Sequence, residues 1–207
     1  SMLSNSEYDM VVITPNVFRN MLTPLVEHKN RYGIRTVVET VESICKPVSL
    51  GGYPGRDKPE KIKYFIKDAV ENWGVKYVLL FGGRIGQLYR WYVPVRYSHL
   101  DDQSDFETSF LSDLYYADVY KYNVSSGEYE FDNWDSNGNG VFAEWTDETV
   151  DDLDLVPDVY VGRLPCRNTY EAEIVIQKII NYETGTYGRE WFKNMILVGG
   201  DTVPTDD

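Results

Sequence analysis

Cysteine and histidine are scarce in this sequence. Only two cysteines, Cys45 and Cys166, occur among the 207 residues, and the two histidines are His28 and His99. Two cysteines exclude a dense disulfide scaffold, and their separation excludes a Cys-x-x-Cys zinc or redox motif. One long-range disulfide between them stays open. We expect His28 to lie at the protein surface and His99 to be solvated in an acidic loop, 99–106.

Positive charge and long apolar segments are also limited. The 20 basic residues are outnumbered by 33 acidic ones, and the formal net charge is −13. Such a charge repels phosphate backbones and anionic lipid surfaces, so we expect no nucleic-acid partner. No run of about 18 apolar residues is present, and we therefore predict no membrane-spanning helix. The acidic excess suits either cation binding or an ordinary solvated surface.

The chain does contain enough apolar residues for a folded core, since hydrophobic residues make up 43% and aromatic residues 14%. Continuous or β-branched apolar runs predict strands, and apolar residues at three- to four-residue spacing predict helices. Asp57 and Asn168 stand where helix N-caps are expected. The predicted strands are 8–14, 34–41, 76–81, 91–97, 159–161 and 195–198, and the predicted helices are 18–33, 59–73 and 168–183.

This alternation predicts an α/β protein with three α/β/α layers, a mostly parallel sheet and right-handed crossovers. Between residues 101 and 157 turn formers and carboxylates dominate, which predicts an irregular acidic insertion at the edge or carboxyl end of the sheet. We therefore divide the chain into a first α/β subdomain at 1–100, a loop-rich insertion at 101–157 and the start of a second α/β subdomain at 158–207.

Two predicted strands end in glycine pairs, Gly82-Gly83 and Gly199-Gly200. Each pair offers bare backbone at the carboxyl edge, where open α/β sheets bind ligands. Neither pair belongs to a phosphate-binding glycine motif, so a tight turn after the strand is the simpler interpretation.

Residues 133–144 form the clearest candidate site by their own chemistry. Oxygen-bearing side chains recur at every second position and glycines let the backbone curl between them, as in a calcium-binding loop. A second register begins at Asp135, with Gly140 at the turn position, and a hairpin built on Asn-Gly turns is the alternative. We predict that a structural Ca²⁺ is held by Asn133, Asp135, Asn137, Asn139, the Val141 carbonyl and Glu144.

Three further segments follow one another in a recognisable order. They are Ser112–Tyr116, which reads Ser-Asp-Leu-Tyr-Tyr, the run Asp158–Arg163, and Asn181–Glu183 ahead of the apolar Met195–Val198. This order resembles the gingipain family of cysteine endopeptidases, and the likeness covers most of the chain. The resemblance implies a caspase-like fold, hydrolysis of protein or peptide substrates, and secretion or a place at the cell surface.

The resemblance also bears on catalytic residues, because a cysteine peptidase needs a thiol, a histidine and a group that orients the histidine. It places Asp158 at the position of the orienting acid, although an Asp that caps a turn after Pro157 gives the same pattern. The family's Gly-His-Gly turn and strand-terminal cysteine do not occur before Asp207, so we expect this fragment alone to be inactive. Cys166 precedes a helix whose dipole would lower its pKa, but neither cysteine matches the nucleophile's context, and we expect structural or free thiols.

Two other functions stay open. One is a non-catalytic secreted calcium-binding or interaction module that keeps the peptidase scaffold. The other is a small-molecule-binding α/β domain that uses the edges at the glycine pairs.

Overall fold

A computed structural model describes residues 7–86, 88–100, 109–186 and 188–197. Its helices and strands alternate as predicted, with a strand-rich segment between residues 96 and 145. In chain order the elements are β1 Met10–Thr14, α1 Asn16–Arg19, α2 Thr23–Arg31, β2 Thr36–Thr40, α3 Val41–Ile44, α4 Lys58–Asp68, β3 Tyr77–Phe81, β4 Arg96–Leu100, β5 Ser109–Ser112, α5 Leu114–Ala117, β6 Tyr120–Asn123, β7 Glu128–Phe131, β8 Glu144–Trp145, β9 Tyr160–Leu164 and α6 Thr169–Gly185.

The main sheet has four parallel strands in the order β2-β1-β3-β9. Successive residues of β1 point to opposite faces, because side chains alternate along a strand. Val11 and Ile13 pack in a core with α3 and α4, whereas Val12 packs in a second core with Phe18 and Ile176, on the face covered by α1, α2 and α6. The predicted three-layer α/β/α arrangement is therefore confirmed.

Two predicted helix starts are confirmed by their capping bonds. The Asp57 carboxylate accepts the Glu60 N–H at 3.0 Å, and the Asn168 side chain accepts the Glu171 N–H at 2.9 Å. The α4 helix continues as a π-helical turn, Ala69–Trp73, and stops at Gly74, whose φ of 74° is the left-handed conformation that glycine adopts readily.

The first predicted helix, 18–33, is wrong as one element. It is divided into α1, a 3-10 turn at Asn20–Leu22 and α2. Pro24 lies in the first turn of α2 and has no N–H to donate to the carbonyl four residues earlier. The Thr23 hydroxyl instead donates to the Asn20 carbonyl at 3.1 Å.

Two predicted strands also need correction. The strand predicted at 91–97 begins only at Arg96, since Tyr92 turns back to donate its N–H to the Gly83 carbonyl and Pro94 has no N–H to offer a ladder. Residues His99 and Leu100, predicted as loop, belong to β4, and the rest of that loop lies outside the described residues. Residues 195–197 form no strand and are exposed, because no described strand pairs with them; Val198 and the Gly199-Gly200 pair lie outside the described residues.

The segment predicted as an insertion contributes to the main core. Tyr115, Tyr116, Val119 and Trp134 are buried there together with residues of the sheet and α4. The Trp134 indole N–H donates to the Asp118 carboxylate at 2.7 Å. This part of the chain therefore closes one face of the sheet, while the predicted boundaries at 101 and 157 stay predictions.

A buried lysine lies between α4 and this segment. The Lys63 ammonium is 4.4 Å from the centre of the Tyr115 ring and 5.5 Å from that of Trp134, and the carboxylates of Asp132 and Asp118 act on it as opposite charges. Among the described residues it has no hydrogen-bond partner. Burial lowers the pKa of Lys63 and raises the pKa of Asp118 to about 7. Cation–π contact and charge balance therefore replace hydrogen bonds at this amine.

We expect Lys63→Met to lower the free energy of unfolding by about 3 kcal/mol near pH 8 and by less than about 1 kcal/mol near pH 5. The pKa of Asp118 is raised in the folded state to about 7, so stability falls as pH rises from the ordinary aspartate pKa towards 7. This loss is largest without the lysine, because the ionised carboxylate then has no counter-charge. Urea unfolding at both pH values measures this difference.

The matched control is Lys67→Met, one turn further along α4, whose ammonium pairs with Glu71 at the surface. It should change stability by less than about 1 kcal/mol at either pH. Equal losses for Lys63→Met at both pH values would contradict the charge-balance explanation.

Candidate functional site

Two of the segments that carry the gingipain resemblance meet in the structure. The Arg163 guanidinium makes a bidentate ion pair with Asp113, at 2.6 and 2.7 Å. It also donates to the carbonyls of Gly82, Val93 and Pro94 at 2.8–3.0 Å. With these donors occupied, Arg163 ties Asp113 and three backbone carbonyls together at the carboxyl end of the sheet.

A second guanidinium fixes the tyrosines of the same motif. Arg96 makes a bidentate pair with Asp57 at 2.7 and 2.9 Å and donates to the Tyr115 hydroxyl at 3.2 Å. The Tyr116 hydroxyl donates to the Pro94 carbonyl at 2.9 Å. No local pattern indicates the role of Arg96, because a single arginine in a short strand looks like a surface residue until its partners are known.

The loop at 133–144 curls as expected of its glycines. Gly138 and Gly140 have φ values of 74° and 85°. The Asp135 carboxylate accepts the N–H groups of Asn139 and Gly140 at 2.9 and 3.1 Å. The Glu144 carboxylate accepts the side-chain amides of Asn139 and Asn137 at 2.7 and 3.2 Å, and the Asn139 bond is the main cause of its lowered pKa. Four of the predicted ligands are therefore linked within one loop.

Two of the predicted ligands, Asn133 and Asp135, fit a cation less well. Asn133 borders a separate groove beside Gly55 and Tyr64, and Asp135 also forms an ion pair with Arg56, which sequence reasoning missed. Within the described ranges, no group of three or more His, Cys, Asp or Glu side chains could hold a metal. Without Asn133 the predicted donors are two carboxylates, two amides and the Val141 carbonyl, as in the register that begins at Asp135, in which Glu144 falls two residues early. Calcium binding by these donors stays a prediction.

Asp158 lies two residues before β9, at the amino edge of the parallel sheet. One oxygen of its carboxylate accepts the backbone N–H groups of Val119 and Tyr120, at 2.7 and 2.8 Å. This is the turn-capping arrangement that the sequence analysis gave as the alternative to an orienting role. The second carboxylate oxygen keeps lone pairs for a further donor, so the orienting role stays a prediction.

The two cysteines are free thiols. Burial raises the pKa of Cys45 to about 11 and raises that of Cys166 as well. The raised value at Cys166 is opposite to the effect expected from the helix dipole, because its side chain packs in the second core with Phe81 and Ala172. Thiols of this kind are poorly ionised and weak nucleophiles.

The two histidines lie near carboxylates and not near the cysteines. The prediction that His28 lies at the surface is wrong: its side chain is 5% exposed and its Nε2 is 2.8 Å from Glu183, which joins α2 to α6. His99 is exposed on β4 beside Glu144 of β8. Among the described residues no histidine is hydrogen-bonded to a cysteine.

Comparison with known proteins identifies the family. A model of peptidase family C25 matches residues 3–207. The chain belongs to peptidase family C25. This confirms the gingipain resemblance over nearly the whole chain.

Two solved structures from Porphyromonas gingivalis are similar to this family member. The complex of RgpB pro- and mature domains has 23% identity and a TM-score of 0.51, covering 84% of this chain and 29% of that one. Dimeric latent PorU has 16% identity and a TM-score of 0.56, covering 85% of this chain and 16% of that one. The chain thus spans less than a third of either structure, and these identities establish the fold alone. No curated protein gave a match.

Within the described ranges no helix is both long and apolar enough to cross a membrane.

Proposed function

We propose that this C25 chain is the scaffold part of a gingipain-like cysteine endopeptidase whose reactive thiol and imidazole are not among its own residues. The observation that carries the proposal is the state of its thiols. Both cysteines have raised pKa values from burial, and neither described histidine is hydrogen-bonded to a sulfur. A cysteine peptidase needs a thiolate beside an imidazole, and this chain offers neither in the required place.

Protein or peptide substrates and a place outside the cell belong to the same proposal. Family membership supports both, and the acidic composition suits a secreted protein. The alternative is a non-catalytic calcium-binding or interaction module with the same scaffold. The two functions differ in whether any form of the protein hydrolyses peptides.

The purified chain should not hydrolyse fluorogenic peptides above the rate of buffer alone, because its thiols are largely protonated near neutral pH. Turnover is measured with a mixture of peptide sequences, and intact papain serves as positive control. Turnover that disappears in Cys45→Ser or Cys166→Ser would overturn the proposal.

We also propose that Asp158 is a positioning residue for the catalytic histidine. In a peptide-hydrolysing form of the protein, Asp158→Asn should lower kcat by roughly 10²-fold or more and change the pH–rate profile. Stability should change by less than about 1 kcal/mol, because the Asn oxygen can still accept the Val119 and Tyr120 N–H groups.

Asp154→Asn is the control, since Asp154 is an exposed carboxylate near the same turn and accepts the Val156 N–H at 2.9 Å. A purely structural Asp158 would leave the pH–rate profile of Asp158→Asn unchanged, and that result would remove it from the mechanism.

The loop at 133–144 is proposed as a calcium site, with Asp135, Asn137, Asn139, the Val141 carbonyl and Glu144 as ligands. Its curled backbone supports the proposal, as do the bonds by which the Asn137 and Asn139 side-chain oxygens accept the N–H groups two residues further on. Calcium would replace the two amide N–H donors at the Glu144 carboxylate. Calcium would hold this loop in its present shape, and no catalytic step is assigned to the ion. The pairing of Asp135 with Arg56 reduces the negative charge available, which favours weak binding.

Calorimetric titration of the chain with calcium should give saturable binding with Kd of roughly 10⁻⁴–10⁻³ M, the range of extracellular modules. Glu144→Gln should weaken it by about tenfold, because a charged ligand is lost. Glu148→Gln, at an exposed carboxylate nearby, should leave binding unchanged. Absence of heat at millimolar calcium would exclude the site.

A further inference from the structure

A cavity of about 530 Å³ opens at the carboxyl edge of the main sheet. Its walls come from the segments that directly follow three strands: Pro15 after β1, Val41 after β2, and Tyr92 from the turn after β3. The chain leaves β1 towards β2 on one side, whereas β3 lies on the other side of β1. The cavity is therefore at a switch point of the strand order, where open α/β sheets bind ligands, and its volume is typical of small-molecule sites.

The glycine pair at 82–83 lies behind one wall of this cavity and lets that wall pack closely against the end of β3. A Cβ atom at Gly82 would lie 2.8 Å from the Cβ of Tyr92, and one at Gly83 would lie 2.3 Å from the Pro165 carbonyl oxygen. The missing side chains let the segment from Trp91 fold back against the strand end, where Tyr92 donates its N–H to the Gly83 carbonyl at 2.9 Å. The glycine pair therefore contributes to the cavity only through close packing. The side chains that this packing positions, such as Tyr92, form the surface that a ligand would contact.

The apolar part of the wall is aromatic and aliphatic. Ile85 and Trp91 lie on the two arms of a short turn closed by the Ile85 N–H to Arg90 carbonyl bond at 2.8 Å, and Tyr92 packs on Phe18 with ring centres 4.8 Å apart. The Trp91 indole N–H is buried and has no acceptor among the described residues. This surface suits one aromatic ring or a branched aliphatic group.

The charged part of the wall is cationic. Lys46 and Lys58 line the cavity, and neither ammonium group makes an ion pair with a described carboxylate. Glu42 is the one acidic residue in the wall, and its carboxylate already accepts the Asn16 N–H at 2.9 Å. The Cys45 thiol, whose pKa is raised by burial, adds no charge near neutral pH. Two lysine cations against the one Glu42 carboxylate leave this wall with an excess of positive charge, on a protein whose net charge is −13, and this excess creates a local site for an anion.

We propose that this cavity binds a small organic carboxylate, with its carboxylate group towards Lys46 and Lys58 and its apolar body against Ile85, Trp91 and Tyr92. The site does not depend on the peptidase proposal, since none of its residues is assigned to catalysis or to calcium. It also names a ligand class for the small-molecule-binding function at the carboxyl edge, which the sequence analysis kept as an alternative.

The test uses phenylpropionate as the probe and phenylpropanol as its neutral counterpart. Calorimetry should show saturable binding of phenylpropionate, and the alcohol should bind about tenfold more weakly because the charge-assisted contacts are lost. Methyl resonances of Val17, Val41 and Ile85, which border the cavity, should shift with the same binding curve.

The double variant Lys46→Gln/Lys58→Gln should weaken phenylpropionate binding by roughly tenfold or more while leaving the alcohol unaffected. Its matched control is Lys76→Gln/Lys193→Gln, which removes two exposed lysines outside the cavity.

Three results would overturn the proposal: no saturable binding to the wild-type chain, shifts confined to other methyl groups, or equal weakening by the control. If the cavity double variant did not fold, as judged by circular dichroism, the comparison of acid and alcohol on the wild-type chain would still decide, because equal affinities contradict the proposed cationic contact.

Discussion

The contact between Arg163 and its four partners is the constraint on which the rest of the arrangement depends. Where β3 ends, the chain leaves the sheet and exposes the carbonyls of Gly82, Val93 and Pro94 in a partly buried place. Buried carbonyls need donors, and one planar guanidinium supplies them while Asp113 balances its charge. A lysine could not satisfy this geometry, since it lacks the fixed fork of donors. With Asp113 fixed, Tyr115 and Tyr116 follow directly into the core.

The parts of the fold that could be predicted from sequence are those in which local chemistry decides the outcome. Asp57 and Asn168 cap helices because their own side chains reach the nearby N–H groups. The nearly continuous apolar run of β3 predicts an internal strand, and β3 does lie between two other strands. The broken first helix was also within reach of local reasoning, because Pro24 marks the break.

Other features depend on residues far apart in the chain. Arg96 pairs with Asp57 across 39 positions and His28 pairs with Glu183 across 155, and no local pattern indicates either pair. The segment that contains Tyr115 and Trp134 looked like a surface addition because its apolar residues are isolated in sequence. Its burial comes from the face that α4 presents to it. The calcium loop shows an intermediate case: spacing indicated the curl, whereas the pairing of Asp135 with Arg56 needed the structure.

The buried lysine has a consequence for how this protein can change in evolution. Lys63, Asp118 and Asp132 each have a buried polar atom with no hydrogen-bond partner among the described residues, and both carboxylates act on the lysine as opposite charges. The loss of Lys63 leaves two buried carboxylates without a counter-charge, whereas the loss of one aspartate leaves the lysine with the other. Replacement of Lys63 first must therefore pass through a less stable intermediate, whereas simultaneous replacement of all three by apolar residues of similar volume need not. We expect lineages of this domain to lose Lys63 only together with or after an aspartate, so that covariation in an alignment of descendants would trace these three positions.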